Sequence, residues 1–183
     1  RGDFNQLCWV NADGTGYQQL TNVEAHNYYP VYSPRGGSIV YASNQNGGAF
    51  DLFLFIFDGA KLIRLTDFIG NVISPSFSPD GKRILFANRA GVGPTSLWMV
   101  DNNGENASLL YTGADTIVAA DWSPDGITIA FAMAVNNPNE YQIFLMGADG
   151  SNVRQLTHNL AGIGGSLDWS PDGKYLLIYA GPD

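Results

Sequence analysis

A four-residue turn pattern, Ser-Pro-x-Gly, occurs four times in this chain of 183 residues. The serines that begin successive copies are 45, 45 and 47 residues apart. Self-similarity at a fixed period is typical of repeat architectures, in which each unit is one supersecondary element. The four copies are Ser33-Pro34-Arg35-Gly36, Ser78-Pro79-Asp80-Gly81, Ser123-Pro124-Asp125-Gly126 and Ser170-Pro171-Asp172-Gly173.

Short apolar segments lie between these turns and keep the same period. Each turn is followed by an apolar run such as 84–87 and then by a second run such as 97–100. An Asp-Gly or Asn-Gly turn and a Leu-Thr or Leu-Tyr pair complete the unit. Four or five apolar residues bounded by Gly, Pro, Asn and Asp indicate strands. Four strands in about 45 residues are typical of the blade of a β-propeller.

The sequence therefore predicts an all-β fold, a β-propeller of four four-stranded blades in a single domain, 1–183. Read across the joined termini, Ser170 precedes Leu20 by 33 residues, and the equivalent spacings inside the chain are 32, 32 and 33. One blade is therefore expected to be shared by the N- and C-terminal strands. The expected blades are about 22–66, 67–111, 112–157, and 158–183 together with 1–21.

Three assemblies satisfy this spacing. The chain can close on itself as a four-bladed monomer, or two chains can exchange half-blades to make an eight-bladed ring. Alternatively, each chain completes the split blade of the next in an open head-to-tail polymer. We favour the closed monomer, because two ends tethered to one chain meet at high effective concentration.

Charge and apolar run length limit the partners. Seventeen acidic and nine basic residues give a net charge of −8. Nucleic acid and anionic membranes are therefore not expected as partners, because phosphate binding needs clustered Lys and Arg. No apolar run approaches the roughly 18 residues of a membrane span, so membrane insertion is not expected. The single cysteine, Cys8, excludes an internal disulfide. It takes the repeat position of Phe53, Trp98 and Phe144 and is expected to be buried.

The repeated anchors resemble a known family. An aromatic residue, Ser-Pro-Asp-Gly, an apolar strand, an Asp-Gly turn and Leu-Thr look like the repeat of TolB-type β-propellers, a relative of the WD repeat. The clearest copies are at 121–126, 148–157 and 168–174, and the resemblance covers essentially the whole chain. It implies a propeller fold, a protein-binding role and a periplasmic or secreted location. Some similar propellers accompany a peptidase domain or have a lyase site.

The turn residues of all four copies are expected to be structural. Asp80, Asp125 and Asp172 occupy the third turn position, where a carboxylate accepts hydrogen bonds from nearby N–H groups. Arg35 stands at this position in the first copy and cannot replace a metal ligand. The turns are therefore not expected to hold a metal.

Asp121 and Asp168 are candidate binding residues. They precede the aromatic residue of the third and fourth copies, where the other copies have Val31 and Ser76. The resemblance implies that this innermost strand lines a central channel, which would bring two carboxylates near the axis. Ca²⁺ requires six to eight oxygen ligands, so two carboxylates alone do not make its site. No cofactor is expected, and a Ca²⁺ ion in the channel is the alternative.

His26, Tyr28 and Tyr29 lie in a connection between blades and are further candidate binding residues, because Tyr-rich loops suit protein and glycan contacts. The predicted function is a non-enzymatic protein-binding or scaffold module, periplasmic or extracellular. Its partner is expected to be another protein or copies of itself. A self-assembling structural subunit is the first alternative, and a polysaccharide lyase or hydrolase is the second.

Overall fold

The computed structural model describes residues 3–67, 70–91, 93–113, 115–135, 137–158 and 166–179, with the backbone alone at 137–139. Regular structure in these residues is β-strand apart from one short 3-10 helix, Asp58–Ala60. The predicted all-β class is therefore confirmed. Within the same residues, no helix has the length and apolar character needed to cross a membrane.

Three four-stranded antiparallel sheets lie between two small sheets along the chain. The first small sheet consists of β1 (Cys8–Trp9) and β2 (Gln18–Gln19). Each large sheet is a meander in which consecutive strands are neighbours. The first large sheet consists of β3 (Asn27–Tyr32), β4 (Ser38–Ser43), β5 (Asp51–Ile56) and β6 (Lys61–Arg64). The second consists of β7 (Asn71–Phe77), β8 (Arg83–Arg89), β9 (Thr95–Asp101) and β10 (Ser108–Thr112). The third consists of β11 (Ile117–Trp122), β12 (Thr128–Val135), β13 (Asn137–Gly147) and β14 (Arg154–Gln155). The last small sheet consists of β15 (Leu167–Trp169) and β16 (Leu176–Ile178).

Equivalent strands pair in equivalent register in the three large sheets. Because side chains alternate along a strand, equal register places residues of the same repeat position on the same face of each sheet. The repeated sequence therefore produces repeated packing surfaces. The second and third strands pair through an isoleucine of the second strand in every case: Ile39 with Phe55, Ile84 with Val100, and Ile129 with Met146.

The core lies between successive sheets, which stack face to face. Leu52, Leu54 and Leu65 of the first large sheet pack with Phe86 and Val100 of the second. Equivalent layers join the second and third large sheets, β1–β2 to the first, and β15–β16 to the third. The inner strands β3, β7, β11 and β15 contact one another in that order. The sheets are thus stacked as successive blades, with their inner strands side by side.

The two small sheets do not form one blade in this structure. Within the described residues, no strand pairing joins β1–β2 to β15–β16. The first packs on the first large sheet and the second on the third. The shared blade and the closed ring of four blades therefore remain predictions. Residues 159–165 and 180–183 of the expected fourth blade lie outside the described residues.

The expectation that Cys8 is buried is wrong. Its side chain is exposed, and its Sγ atom lies 3.0 Å from the Oη atom of Tyr17. The equivalent residue Phe53 is buried because the preceding sheet covers its face of the strand, with Leu7 in contact. Among the described strands, no preceding sheet covers the same face of β1, so Cys8 remains in contact with solvent.

Candidate functional site

Each Ser-Pro-Asp-Gly turn is closed by its own serine and aspartate. The Ser123 hydroxyl donates to Asp125 Oδ1 at 2.5 Å, and the same oxygen accepts the N–H of Ile127 at 3.0 Å. The turns at 78–81 and 170–173 make the same two hydrogen bonds. These bonds, the serine hydroxyl first, hold the pKa of the three turn carboxylates below the ordinary aspartate value. The carboxylates therefore act within their own turns.

Successive turns also touch one another. A Cβ atom on Gly126 would lie 3.5 Å from Cδ of Pro79 in the preceding turn, and Gly81 faces Pro34 at the same distance. Gly126 has a φ of 71°, in the left-handed region that glycine adopts without steric cost. The proline ring of one turn therefore covers the glycine of the next, and the turns form a continuous row at one end of the sheets.

Asp121 lies on the inner strand β11, between repeat-equivalent residues of the neighbouring inner strands. The Ser76 hydroxyl on β7 donates to Asp121 Oδ1 at 2.5 Å. Asp168 on β15 is close enough for its charge to act on Asp121, and the N–H groups of Trp122 and Trp169 donate hydrogen bonds to the Asp121 carboxyl. The structure thus brings two of the candidate residues, Asp121 and Asp168, together on the inner strands.

Burial is the largest effect on the pKa of Asp121 and raises it above the ordinary value. The hydrogen bonds from Ser76 and from the Trp122 N–H oppose this increase, whereas the charge of Asp168 adds to it. A carboxyl in such a place takes up a proton more readily than an exposed one. In the part of the chain that the structure describes, no three His, Cys, Asp or Glu side chains form a group suited to a metal ion.

Five aromatic side chains form a continuous surface at the opposite end of the first large sheet from its Ser-Pro turn. His26 stacks parallel to Tyr28, with 5.8 Å between ring centroids and an interplanar angle of 5°. Phe4 meets His26 edge-on at 5.4 Å, and Phe50 and Tyr29 lie 5.5 Å and 6.1 Å from Tyr28. We call this surface the aromatic patch: Phe4, His26, Tyr28, Tyr29 and Phe50.

A bulge in β3 presents Tyr29 to solvent. The pairing register shifts between Tyr28 and Val31, and Tyr29 has a φ of 55°. This conformation costs a non-glycine residue about 1–2 kcal/mol. The Tyr29 side chain is 49% exposed. Ser74, at the equivalent position of the second large sheet, has a φ of 50°. The bulge thus recurs in the second large sheet, whereas the tyrosine is particular to the first.

The backbone and side chain of Asn5 and the side chain of Asn44 hold the patch in place. The Asn5 N–H donates to His26 Nδ1 at 3.3 Å, and Asn5 Nδ2 donates to Tyr28 Oη at 2.8 Å. Asn44 Oδ1 accepts the backbone N–H of His26 at 2.8 Å. His26 Nδ1 and the Tyr28 hydroxyl are thus engaged within the protein, and the patch offers a partner mainly ring faces and edges. Such surfaces suit aromatic, proline and aliphatic side chains.

The sequence analysis identified three members of the patch and missed Phe4 and Phe50. Both stand shortly before the third strand of a repeat unit, Phe4 before β1 and Phe50 before β5. A residue at this position lies at the same end of the sheets as the connection that contains His26. By repeat position Phe4 corresponds to Ala49 and Phe50 to Asn5. The signal by which they could have been found is therefore their common segment, just before the third strand of a unit.

Comparison with known proteins agrees with this architecture. A family model described as the TolB beta propeller domain matches residues 5–132. No curated protein sequence matches the chain. The solved structure of a putative TolB from Agrobacterium tumefaciens is 26% identical, with a TM-score of 0.75, over 93% of this chain and 64% of that one.

Two further solved structures show the same fold. TolB from Acinetobacter baumannii is 22% identical, with a TM-score of 0.80, over 94% of this chain and 42% of that one. A chain of a nidogen/laminin complex is 10% identical, with a TM-score of 0.73, over 90% of this chain and 60% of that one. The chain thus spans less than two thirds of the length of each of these three structures.

Proposed function

Because the chain belongs to the TolB beta propeller domain family, we propose that it is a non-enzymatic module that binds another protein. The observation that carries the proposal is the aromatic patch, in which a strained bulge presents Tyr29 to solvent. Tyrosine is enriched among the residues that dominate binding energy at protein interfaces. The hydrogen bonds of Asn5 and Asn44 order the patch before a partner arrives, which lowers the entropic cost of binding.

The partner that fits this surface is a peptide segment with apolar and basic side chains. The rings supply flat apolar faces, and the net charge of −8 attracts basic partners over a distance. A periplasmic or extracellular location is part of the proposal and is supported by membership of the TolB propeller family. None of the described residues provides an observation that favours the lyase or hydrolase alternative.

The test is selection of a phage-displayed library of random peptides on the purified chain, followed by affinity measurements on the enriched sequences. We expect Tyr29→Ala and Tyr28→Ala to weaken binding of those peptides about tenfold, which corresponds to about 1.4 kcal/mol each. The matched control is Tyr175→Ala, which removes another exposed tyrosine, beside the turn at 170–173 and away from the patch.

Peptides that bind the patch variants and the control variant equally well would contradict the proposal. Failure of the library to enrich any sequence would also contradict it. Urea denaturation of each variant establishes that a loss of binding is not a loss of folding. The location is tested separately by immunodetection in cell fractions, and a purely cytoplasmic signal would rule it out.

A further inference from the structure

A groove of about 440 Å³ lies between two neighbouring turns, in the row of turns at the opposite end of the sheets from the aromatic patch. Residues 123–125 and Thr128 form one wall, and Trp169 and residues 171–173 form the other. These residues belong to the inner hairpins β11–β12 and β15–β16 and to the turns that close them. The groove thus combines an indole ring with two turn carboxylates.

At the preceding junction, between the second and third large sheets, an arginine covers the equivalent ring. Trp122 stands there at the repeat position of Trp169. The guanidinium carbon of Arg83 lies 5.1 Å from the centroid of the Trp122 ring. A cation within about 6 Å of an aromatic ring face is attracted by the electrons of the ring. This junction therefore holds a cation on its tryptophan from within the chain.

Arg83 also lies close to a turn carboxylate, that of Asp80. Hydrogen bonds from the Ser78 hydroxyl and the Lys82 N–H lower the pKa of Asp80, and the positive charges of Lys82 and Arg83 lower it further. The arginine at this junction is therefore attracted both by an indole ring and by an ionised carboxylate.

The groove has the ring and the carboxylate without the cation. Thr128 stands at the repeat position of Arg83, and Ile127 stands at that of Lys82. Hydrogen bonds, that of the turn serine first, keep the pKa of Asp125 below its ordinary value, so its carboxylate is charged at neutral pH. Among the described residues, Asp125 forms no ion pair. The difference between the two junctions is thus a difference in residues on equivalent strands.

The backbone holds Thr128 and Arg83 in the same way. The N–H of Arg83 donates to the Ser78 hydroxyl at 3.0 Å, and the N–H of Thr128 donates to the Ser123 hydroxyl at 2.9 Å. The carbonyl oxygen of each residue accepts the N–H of the same serine at 2.8 Å. Equal backbone positions direct the two side chains alike. The space that the Arg83 side chain takes in one junction is therefore open beyond the shorter Thr128 in the next.

The second carboxylate of the groove already has a partner. Lys174 Nζ lies 3.2 Å from Asp172 Oδ2, and both side chains are exposed. Such exposed pairs contribute little to stability. Two carboxylates and one ammonium group leave the groove a net charge of −1, which a single cation neutralises.

We infer that this groove binds the arginine side chain of a partner protein. The guanidinium stacks on Trp169, as that of Arg83 does on Trp122, and donates hydrogen bonds to the Asp125 carboxylate. Arginine fits better than lysine, because its planar group stacks on aromatic rings, is more weakly hydrated and can donate two parallel hydrogen bonds to a carboxylate. The groove is a different surface from the aromatic patch, and the inference does not depend on that patch.

NMR titration of the chain with an isolated arginine residue tests the inference. The probe is Nα-acetyl-arginine N-methylamide, which has the side chain without terminal charges, and the indole N–H signals of the four tryptophans are followed at constant ionic strength. Trp169→Phe assigns the signal of Trp169. We expect this signal to shift with a dissociation constant on the order of 10 mM, as one cation on a ring and a carboxylate provides. The matched lysine compound should bind at least about fivefold more weakly.

Two reciprocal substitutions test the role of the residue at position 128. Thr128→Arg should fill the groove from within and abolish binding of the probe. Its matched control, Thr112→Arg, adds the same side chain at an exposed position at the other end of the sheets and should leave binding unchanged. Arg83→Thr should open a second groove, so that the Trp122 signal, which the probe does not shift in the wild type, shifts as well.

Urea denaturation establishes that each variant is folded, and the Thr128→Arg comparison decides the matter if Arg83→Thr is not. The inference is overturned if the probe leaves the Trp169 signal unchanged, or if the lysine compound binds equally well. Equal losses of binding in Thr128→Arg and Thr112→Arg would also overturn it, because the effect would then be one of net charge. Tighter binding of free arginine than of the blocked residue would identify the free amino acid as the ligand and contradict a protein partner.

Discussion

Ser76 and Asp121 are 45 residues apart in the chain and are joined by a hydrogen bond of 2.5 Å between neighbouring inner strands. They occupy the same position in successive repeat units, and Asp168 follows at this position in the next unit. The first unit has Val31 there. This position on the inner strands, which we call the inner wall, therefore changes from apolar to acidic along the row of sheets. The partly buried carboxyl of Asp121 makes the stability of the fold depend on pH.

We expect Asp121→Asn to raise the free energy of unfolding at neutral pH relative to the wild type. The pKa of Asp121 is raised in the folded state, mainly by burial, so folding favours the protonated form. The ionised carboxylate therefore lowers stability above its folded pKa, and this effect disappears as the pH falls below the ordinary value of 3.8. Urea denaturation between pH 7 and about pH 3 measures the difference.

The control for this prediction is Asp115→Asn, which removes the same charge from an exposed side chain. Its effect should be small and should not follow the pH dependence of Asp121→Asn. A variant at Asp121 that is less stable than the wild type at neutral pH would indicate that the ionised carboxylate stabilises the inner wall.

Thr66→Val should destabilise the first large sheet by about 1–3 kcal/mol, because the buried N–H of Leu52 would lose its acceptor. The Thr66 hydroxyl accepts that N–H at 2.9 Å and donates to Asp51 Oδ1 at 2.9 Å. Thr66→Ser keeps the hydroxyl and is the matched control. Urea denaturation compares the two variants, and equal stability would show that the hydroxyl contributes little.

Gly126→Ala should lower the free energy of unfolding by about 1–2 kcal/mol, because alanine is strained in the left-handed region. The added Cβ atom would lie 3.5 Å from Pro79, an ordinary van der Waals contact, so the loss is expected from the backbone conformation alone. Gly37→Ala provides the comparison, since a Cβ atom there has open space and Gly37 is not among the positive-φ glycines. We expect Gly37→Ala to be neutral or to stabilise by about 0.4–1 kcal/mol. Similar losses in both variants by thermal denaturation would argue against the conformational explanation.

The turn carboxylates should make the wild type lose stability in acid. Hydrogen bonds from the turn serines and N–H groups lower the pKa of Asp80, Asp125 and Asp172 in the folded state. The contribution of these carboxylates to the free energy of unfolding is therefore present above pH 3.8, the ordinary aspartate pKa. It is lost as the pH falls toward their lower pKa values in the folded state. Replacing all three by asparagine should reduce the fall in stability below about pH 4. Circular dichroism follows unfolding of the variant as the pH is lowered. If the acid transition is the same as in the wild type, the loss of stability in acid comes from other carboxylates.

The blades were predictable because their signals are local. The serine and aspartate of a turn at 123–126 bond to each other and to the next strand within five residues. A strand pairing such as Ile84 with Val100 follows from the alternation of apolar residues on either side of a short connection. Each repeat unit therefore contains most of the information for its own sheet, and four similar units reinforce the interpretation.

Features that depend on neighbouring units were harder to predict. Cys8 was expected to be buried from its repeat position, but burial there depends on a preceding sheet that is not next to β1 in the structure. The aromatic patch combines Phe4, Phe50 and the bulge at Tyr29, which come from segments more than 20 residues apart. Neither feature can be deduced from one unit alone.

The contact of each turn glycine with the proline of the preceding turn has a consequence for how such chains lengthen and shorten. A Cβ atom added to Gly81, Gly126 or Gly173 would lie 3.5, 3.5 or 3.8 Å from Cδ of the equivalent proline in the preceding turn. Duplication or deletion of one whole unit would leave every remaining glycine beside a proline of the same kind. Recombination between units could therefore change the number of sheets while the local contacts at each junction stay the same.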